Sequence, residues 1–258
     1  MNQTLDVIMQ RRSTRVYSAD PISEAEKNTI LEATLRAPTA GNMMLYSILE
    51  IESQELKDRL SETCDHQPFI AKAPWVLLYL ADFQRQYDYF DYCEVPRLCR
   101  ERNIPYRTPE TADLMLACCD ALIAAQTTVL AAESLGIGSC YIGDIMENYE
   151  THRDLLNLPK YVFPIALLCL GRADRELSEK SRSSRFGREF IVYKDAYRRL
   201  SDEDFKHMYA PLEPRPGETR RYFQNAENIG QSLYLRKTCA DFSLEMVRSV
   251  NVMLENWK

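Results

Sequence analysis

The chain has 258 residues, of which 45% are apolar, so it can bury the core of one large domain or two small ones. It carries 32 basic and 38 acidic residues, a net charge of −6. That balance excludes a general nucleic-acid binder, which works through a basic excess, and gives no reason for docking on an anionic membrane.

Residues 4–11 read as a first helix ending in the basic run Arg11-Arg12-Ser13-Thr14-Arg15. The start MNQTLDVIMQRR places its charges after its apolar part, the reverse of a secretory leader. Ser23 with Glu26 is a capping-box pattern, and Ile30, Leu31, Leu35 and Ala37 carry a helix toward Pro38, which should stop it. Pro38-Thr39-Ala40-Gly41-Asn42 is turn-rich. Strands are predicted over residues 46–52 and from Trp75, with a helix over 55–64 between them.

Residues 83–107, rich in aromatic and charged side chains, predict a helical excursion. Thr108-Pro109 should then open a long core helix, with proline in its first turn and Gly136 beyond its end. That helix holds the most apolar stretch, 114–132, but an ionised Asp120 at mid-bilayer would cost roughly 3 kcal/mol, so the stretch reads as a buried helix rather than a membrane span. Strands follow over 139–142 and 164–170, and the tail beyond Ser201 reads as largely helical, with a last segment from about Thr219 to Trp257. Helices between strands without a regular βαβ rhythm predict an α+β fold of three layers.

The eight cysteines form no C-x-x-C pair, and most lie in apolar runs, where a thiol behaves as a small hydrophobe. Cys64 and His66 lack further ligands nearby, and His152 and His207 are singletons, so no metal centre is expected. Reduced thiols point to the cytoplasm.

Four segments carry the chemistry. In the first, three guanidinium groups and a hydroxyl fall within five residues, a set that matches phosphate oxygens; positive charge also suits the end of a helix. The second, the Pro38–Asn42 turn, offers small side chains and exposed amides to a flat ring, and equally fits an ordinary turn. The third, Gly136-Ile-Gly138-Ser-Cys-Tyr141-Ile142-Gly143, fails as a dinucleotide loop, because a tyrosine replaces the third glycine and a helix precedes it. It also reads as a helix stop followed by a buried strand. The fourth, Lys180-Ser181-Arg182, sits among Arg172, Arg175, Arg185 and Arg188 and fits a solvated basic loop as well as an anion site.

Taken in this order, the four segments resemble the nitroreductase family of FMN-dependent oxidoreductases. Pro21-Ile-Ser-Glu-Ala25, Ala81-Asp-Phe83, Leu155-Leu-Asn-Leu-Pro159 and Leu168-Cys-Leu-Gly171 resemble its oxygen-insensitive NADPH nitroreductase and flavin reductase subgroup. The resemblance covers roughly residues 5–200 and thins after that. It implies a nitroreductase-type three-layer fold: a mixed, mainly antiparallel sheet flanked by helices, in an intertwined homodimer. Residues 1–200 would form the FMN-binding core and 201–258 a helical extension of the same domain.

By the same resemblance Arg11, Arg12, Ser13, Arg15, Lys180 and Arg182 hold the FMN phosphate. Pro38, Thr39, Ala40 and Gly41 lie beside the ring, often the ring of the partner subunit. Ala40 and Gly41 stand where the family often has hydroxyls. Gln67, Tyr141, Ile142, Gly143 and Asp144 line the flavin, Asp144 standing where glycine is common. Arg215 and Arg220 would take the 2′-phosphate of NADPH.

Catalysis would belong to the flavin, not to a side-chain triad or a metal. The implied activity is ping-pong transfer of hydride from NADPH or NADH to FMN and on to a nitroaromatic, quinone or flavin acceptor, in the cytoplasm and with neither nucleic acid nor membrane as partner. An FMN-storing or FMN-sensing protein without turnover is the alternative.

Overall fold

The computed structural model describes residues 2–174, 184–214 and 221–258. Two compact units divide it at 180/181 and 244/245, the last fourteen residues belonging with the first unit.

The first unit is built on four strands, β1 (Tyr46–Glu50), β2 (Trp75–Asp82), β3 (Gly138–Ile142) and β4 (Val162–Gly171), in the order β1-β2-β4-β3. All three strand pairs are antiparallel, with a register shift in β2 between Tyr79 and Leu80. The parallel contact present is an isolated bridge between Ser13 and Ser139.

The central strands are apolar on both faces, as strands between two layers must be. Trp75, Leu77 and Tyr79 of β2, with Ala166, Leu168 and Leu170 of β4, face α2 (Glu24–Thr34) and α7 (Thr111–Ser134) through Ile30, Ala121, Ala125 and Val129. The alternate residues Val76, Leu78, Leu80, Leu167 and Cys169 face α3 (Gln54–Thr63) and α4 (Pro68–Lys72) through Leu60 and Ile70. These are the three layers predicted from the sequence.

A third cluster closes one end of the sheet. Tyr149 of α8 (Tyr149–Leu155), Phe163 and Tyr161 pack with Met253 of α11 (Asp241–Leu254) and with Trp257. α1 (Gln3–Gln10) precedes the arginine run, and α5 (Gln84–Tyr92) and α6 (Val95–Glu101) form the aromatic excursion. In the second unit, α9 (Asp202–Tyr209) begins at a Ser201–Asp204 capping box, Phe186 packs edge-on against Tyr209, and α10 (Ile229–Leu233) follows.

Some element ends differ from their sequence expectation, and each difference has a local cause. α2 stops at Thr34 rather than at Pro38, because the residue before proline is barred from helical geometry and the chain leaves the helix in a turn at Leu35 and Arg36. α7 begins at Thr111 rather than at Pro109: Glu110 and Asp113 cap each other reciprocally, and the Arg107 guanidinium grips both oxygens of Asp113. That contact also holds the Asp113 carboxyl below its usual range.

α7 is long and apolar enough to cross a membrane by length and composition alone. In the fold, Leu114, Ala117, Ala121, Ala124, Ala125, Val129 and Ala132 are buried against the first unit, while Met115, Leu116, Leu122 and Ile123 remain exposed. A chain of hydroxyls crosses this core. Thr128 of α7 lies 2.5 Å from both Thr34 of α2 and Tyr79 of β2, so hydroxyls of the two helices and of the sheet beneath them satisfy one another.

The segment after α1 lies along β3. The Thr14 N–H donates to the Ser139 carbonyl at 2.9 Å, and Thr14 is buried over Gly138. A Cβ at Gly138 would stand 2.2 Å from Thr14 Oγ1 and 2.9 Å from its Cβ. Gly138→Ala should therefore lift the segment off the strand and cost roughly 1–3 kcal/mol, the range for overpacking. An unchanged melting temperature would show that the contact is not close in solution.

Candidate functional site

The arginine run sits where α1 ends and the chain meets β3. Arg11 is half-buried, and its Nη1 is inaccessible to solvent without an acceptor among the described residues. Arg12, Ser13 and Arg15 are exposed. The Arg15 guanidinium lies 5.6 Å from the centre of the Phe69 ring, a cation–π contact that fixes its direction. Ser13 and Arg15 also reach Cys140; burial raises that thiol's pKa, and their charge and hydrogen bonds pull against it.

Glu133, at the end of α7, faces the same cluster. Burial raises its pKa, opposed by the charges of Arg11 and Arg12. Its Oε1, like Ser139 Oγ, is buried without a donor or acceptor in hydrogen-bond geometry. A buried guanidinium nitrogen with nothing to donate to is costly and uncommon. The residues present therefore fit an anionic oxygen ligand at this place. FMN, with its phosphate, is the ligand of this kind that the sequence motifs imply.

Around the other end of β3 a second set assembles. Tyr141 and Ile142 end the strand, Gly143 turns the chain, and Asp144 opens a short 3-10 turn. Ile142 is buried in the core, whereas Tyr141 is half-buried with its hydroxyl 3.5 Å from Gln126 of α7. Gln67, just ahead of α4, reaches Asp144: Nε2 donates to Asp144 Oδ2 at 2.7 Å and to the Cys64 carbonyl at 2.9 Å. The arginine segment and this set are linked through the strand itself and through Phe69, two residues beyond Gln67. Two of the four sequence segments, together with Gln67, are thus gathered on one strand and its flanks.

The Pro38–Asn42 turn is anchored on the middle of α7. Asp120, 2% exposed, accepts the Ala40 N–H on Oδ1 at 2.9 Å and the Leu45 N–H on Oδ2 at 3.1 Å. Thr39 Oγ1 accepts the Met44 N–H at 3.3 Å. Gly41 and Asn42 both take positive φ, 56° and 57°, which explains why small or amide residues stand there. Met44, also at positive φ, is held by Arg85, whose guanidinium takes the carbonyls of Met44 and Tyr46.

Sequence reasoning used Asp120 only to exclude a membrane span; a carboxyl in an apolar helix was the signal that it anchors something. It gave no place to Glu133, a single acidic residue with no pattern around it. Lys180, Arg182, Arg215 and Arg220 lie outside the described residues.

Fold and site together define a three-layer α+β protein with an arginine cluster at the margin of its sheet. The Nitroreductase family model matches residues 8–172, and the chain belongs to that family. The chain is 30% identical over 247 residues to the FMN reductase [NAD(P)H] of Bacillus subtilis, covering 91% of this chain and 93% of that one. It is 28% identical over 203 residues to the oxygen-insensitive NADPH nitroreductase of Salmonella typhimurium, covering 79% and 78% of the two chains. Among solved structures, nitroreductase A of Vibrio parahaemolyticus superposes with a TM-score of 0.78 over 98% of both chains at 23% identity, a likeness of fold.

Proposed function

We infer that this chain is an FMN-dependent NAD(P)H oxidoreductase that reduces small-molecule acceptors of the nitroaromatic, quinone or flavin class. The observation that carries this reading is the buried Arg11 Nη1 without an acceptor among the described residues, set in the arginine run on β3. The names of the relatives support the same reading. Bound FMN supplies the redox chemistry, accepting hydride from the nicotinamide donor and releasing electrons to the acceptor. The chain's own groups bind and orient: Arg11, Arg12, Ser13 and Arg15 hold the phosphate, with Lys180 and Arg182 as further proposed ligands. Gln67, Tyr141, Ile142, Gly143 and Asp144 border the ring. Donor and acceptor would enter the site in turn, giving ping-pong kinetics. The absorption spectrum of the purified protein, followed by titration with NADPH and NADH, is the test. A protein without flavin absorbance overturns the reading, and a flavin that neither donor bleaches makes it a storage or sensing protein.

The active unit is a homodimer. The exposed apolar face of α7, with Met115 at 62% and Leu116 at 44% exposure, supports this, as does a Pro38–Asn42 turn held rigidly enough to serve the partner's flavin. An obligate interface of this kind buries more than about 2,000 Å². Sedimentation showing a monomer that retains FMN and turnover would remove the dimer from the proposal. Eight free thiols fit a reducing, cytoplasmic setting.

Arg215 and Arg220 are proposed to grip the 2′-phosphate of NADPH, the one group that NADH lacks. Replacing both with alanine should lower kcat/KM for NADPH by roughly ten- to a hundredfold, the loss of one charged hydrogen bond, and leave NADH nearly unaffected. Equal use of both donors by the unmodified protein would make the pair a surface turn.

A further inference from the structure

Just ahead of β1 the chain carries a strained residue. Met44 has φ 50°, a left-handed conformation that a residue with a side chain populates roughly tenfold less than the right-handed one. The peptide that follows, between Met44 and Leu45, is held at both ends. Its carbonyl accepts from Nη2 of Arg85, and its N–H donates to Oδ2 of Asp120 at 3.1 Å. The groups on either side are fixed as well. The Met44 N–H donates to Thr39 Oγ1 at 3.3 Å, and the Leu45 carbonyl accepts from the Asp82 N–H at 3.0 Å. A guanidinium from α5 thus takes the oxygen of this peptide and a carboxylate from α7 takes its hydrogen. Turning the peptide over breaks two charge-assisted bonds together.

Arg85 is itself aimed. The chain at the start of α5 is tied to the sheet, because the N–H groups of Phe83 and Gln84 both donate to the Tyr161 carbonyl, at 3.0 and 3.2 Å. Asp82, 7% exposed, accepts the Arg85 N–H on Oδ1 at 3.1 Å and the Ser47 hydroxyl on Oδ2 at 2.6 Å. Ser47 Oγ in turn accepts from Arg85 Nη1 at 3.1 Å, and Nη2 gives its second hydrogen to the Tyr46 carbonyl at 3.1 Å. The planar fork therefore meets acceptors on residues 44, 46 and 47, a geometry that a lysine ammonium does not reproduce. At the other end of the clamp, Asp120 spends its second oxygen on the Ala40 N–H at 2.9 Å. The strained peptide and the Pro38–Asn42 turn hang on one carboxylate.

We propose that Arg85 is a positioning residue for the flavin site: with Asp120 it fixes the Met44–Leu45 peptide, and so sets where the Pro38–Asn42 turn meets the flavin. The proposal rests on the reading of that turn as a wall of the flavin site. Arg85 acts through the turn and not by touching the ligand. Without its fork, Met44 relaxes out of the left-handed region and the binding-competent turn becomes a minor population. The apparent affinity for flavin falls by that fraction. Because Arg85 belongs to α5, the aromatic excursion is tied to the turn through this side chain.

The test measures FMN dissociation constants by flavin fluorescence for the full-length protein and for Arg85→Met, each with Met44 and with Met44→Gly. Arg85→Met should weaken FMN binding about tenfold beside Met44 but only about twofold beside glycine, which takes positive φ about as readily as negative. Arg85→Lys keeps the charge without the fork and should recover part of the affinity. Should Arg85→Met fail to fold, Arg85→Lys carries the same comparison. In the flavin-free protein, hydrogen exchange at the Leu45 N–H should quicken about tenfold with Arg85→Met while β2 and β4 keep their protection. Unchanged Leu45 exchange, or an equal loss of affinity in both backgrounds, overturns the clamp on Met44. Parental affinity in Arg85→Lys overturns it too, since a charge alone would then suffice. Faster Leu45 exchange with unaltered FMN affinity overturns the placement of the turn beside the flavin. A parent that binds no FMN overturns the flavin reading itself, and the exchange measurement still decides the clamp.

Discussion

Alanine in place of both Arg11 and Arg15 is expected to weaken FMN binding by roughly two to four powers of ten. Each guanidinium, in the proposed site, would contribute a charged hydrogen bond to phosphate of about 1.5–3 kcal/mol, and about 1.4 kcal/mol corresponds to a factor of ten. The effect should fall on binding and little on folding. Arg15 is exposed, and the buried Nη1 of Arg11 makes no hydrogen bond among the described residues that its removal would break. Fluorescence titration with FMN, set beside the melting temperature of the flavin-free protein, separates the two. Undiminished FMN affinity would mean that the phosphate binds elsewhere.

Asp120→Ala should be the most damaging single change to the fold. It deprives the Ala40 and Leu45 N–H groups of their acceptor in a region where Leu45 is fully buried. An unsatisfied buried donor costs about 1–3 kcal/mol, so the pair amounts to roughly 2–6 kcal/mol, enough to lower the melting temperature by roughly 10 °C. Asp120→Asn retains one acceptor oxygen and should fall between the two. The loss should extend to function, because the Pro38–Asn42 turn depends on this carboxyl for its shape. Thermal denaturation of the three proteins provides the ranking, and an alanine variant as stable as the parent would show that water replaces the carboxyl.

The layers were legible in the chain because the central strands announce themselves. Residues 75–80 and 164–170 are apolar without interruption, and only a strand covered on both sides tolerates that. The long helix was legible from its run of small apolar residues and from Gly136 behind it. Its start was not, since the reciprocal cap between Glu110 and Asp113 is an acidic pair that resembles any solvent-facing sequence. At the site, the arginine run was visible as charge density, and its location on β3 came only from the bridge between Ser13 and Ser139. The link between Gln67 and Asp144 spans 77 residues and leaves no local pattern.

The docking of residues 13–15 on β3 has a consequence for how the protein behaves when it is damaged. In the order β1-β2-β4-β3, β3 is a border strand, and an uncovered border strand offers a row of unpaired amides and carbonyls to any other chain. Here the Thr14 N–H occupies the Ser139 carbonyl and Thr14 covers Gly138. The peptide proposed to grip the phosphate is thus also the guard against self-association. Proteolysis in the segment between α1 and α2 would loosen both roles together, joining a loss of the proposed cofactor grip to a tendency to aggregate.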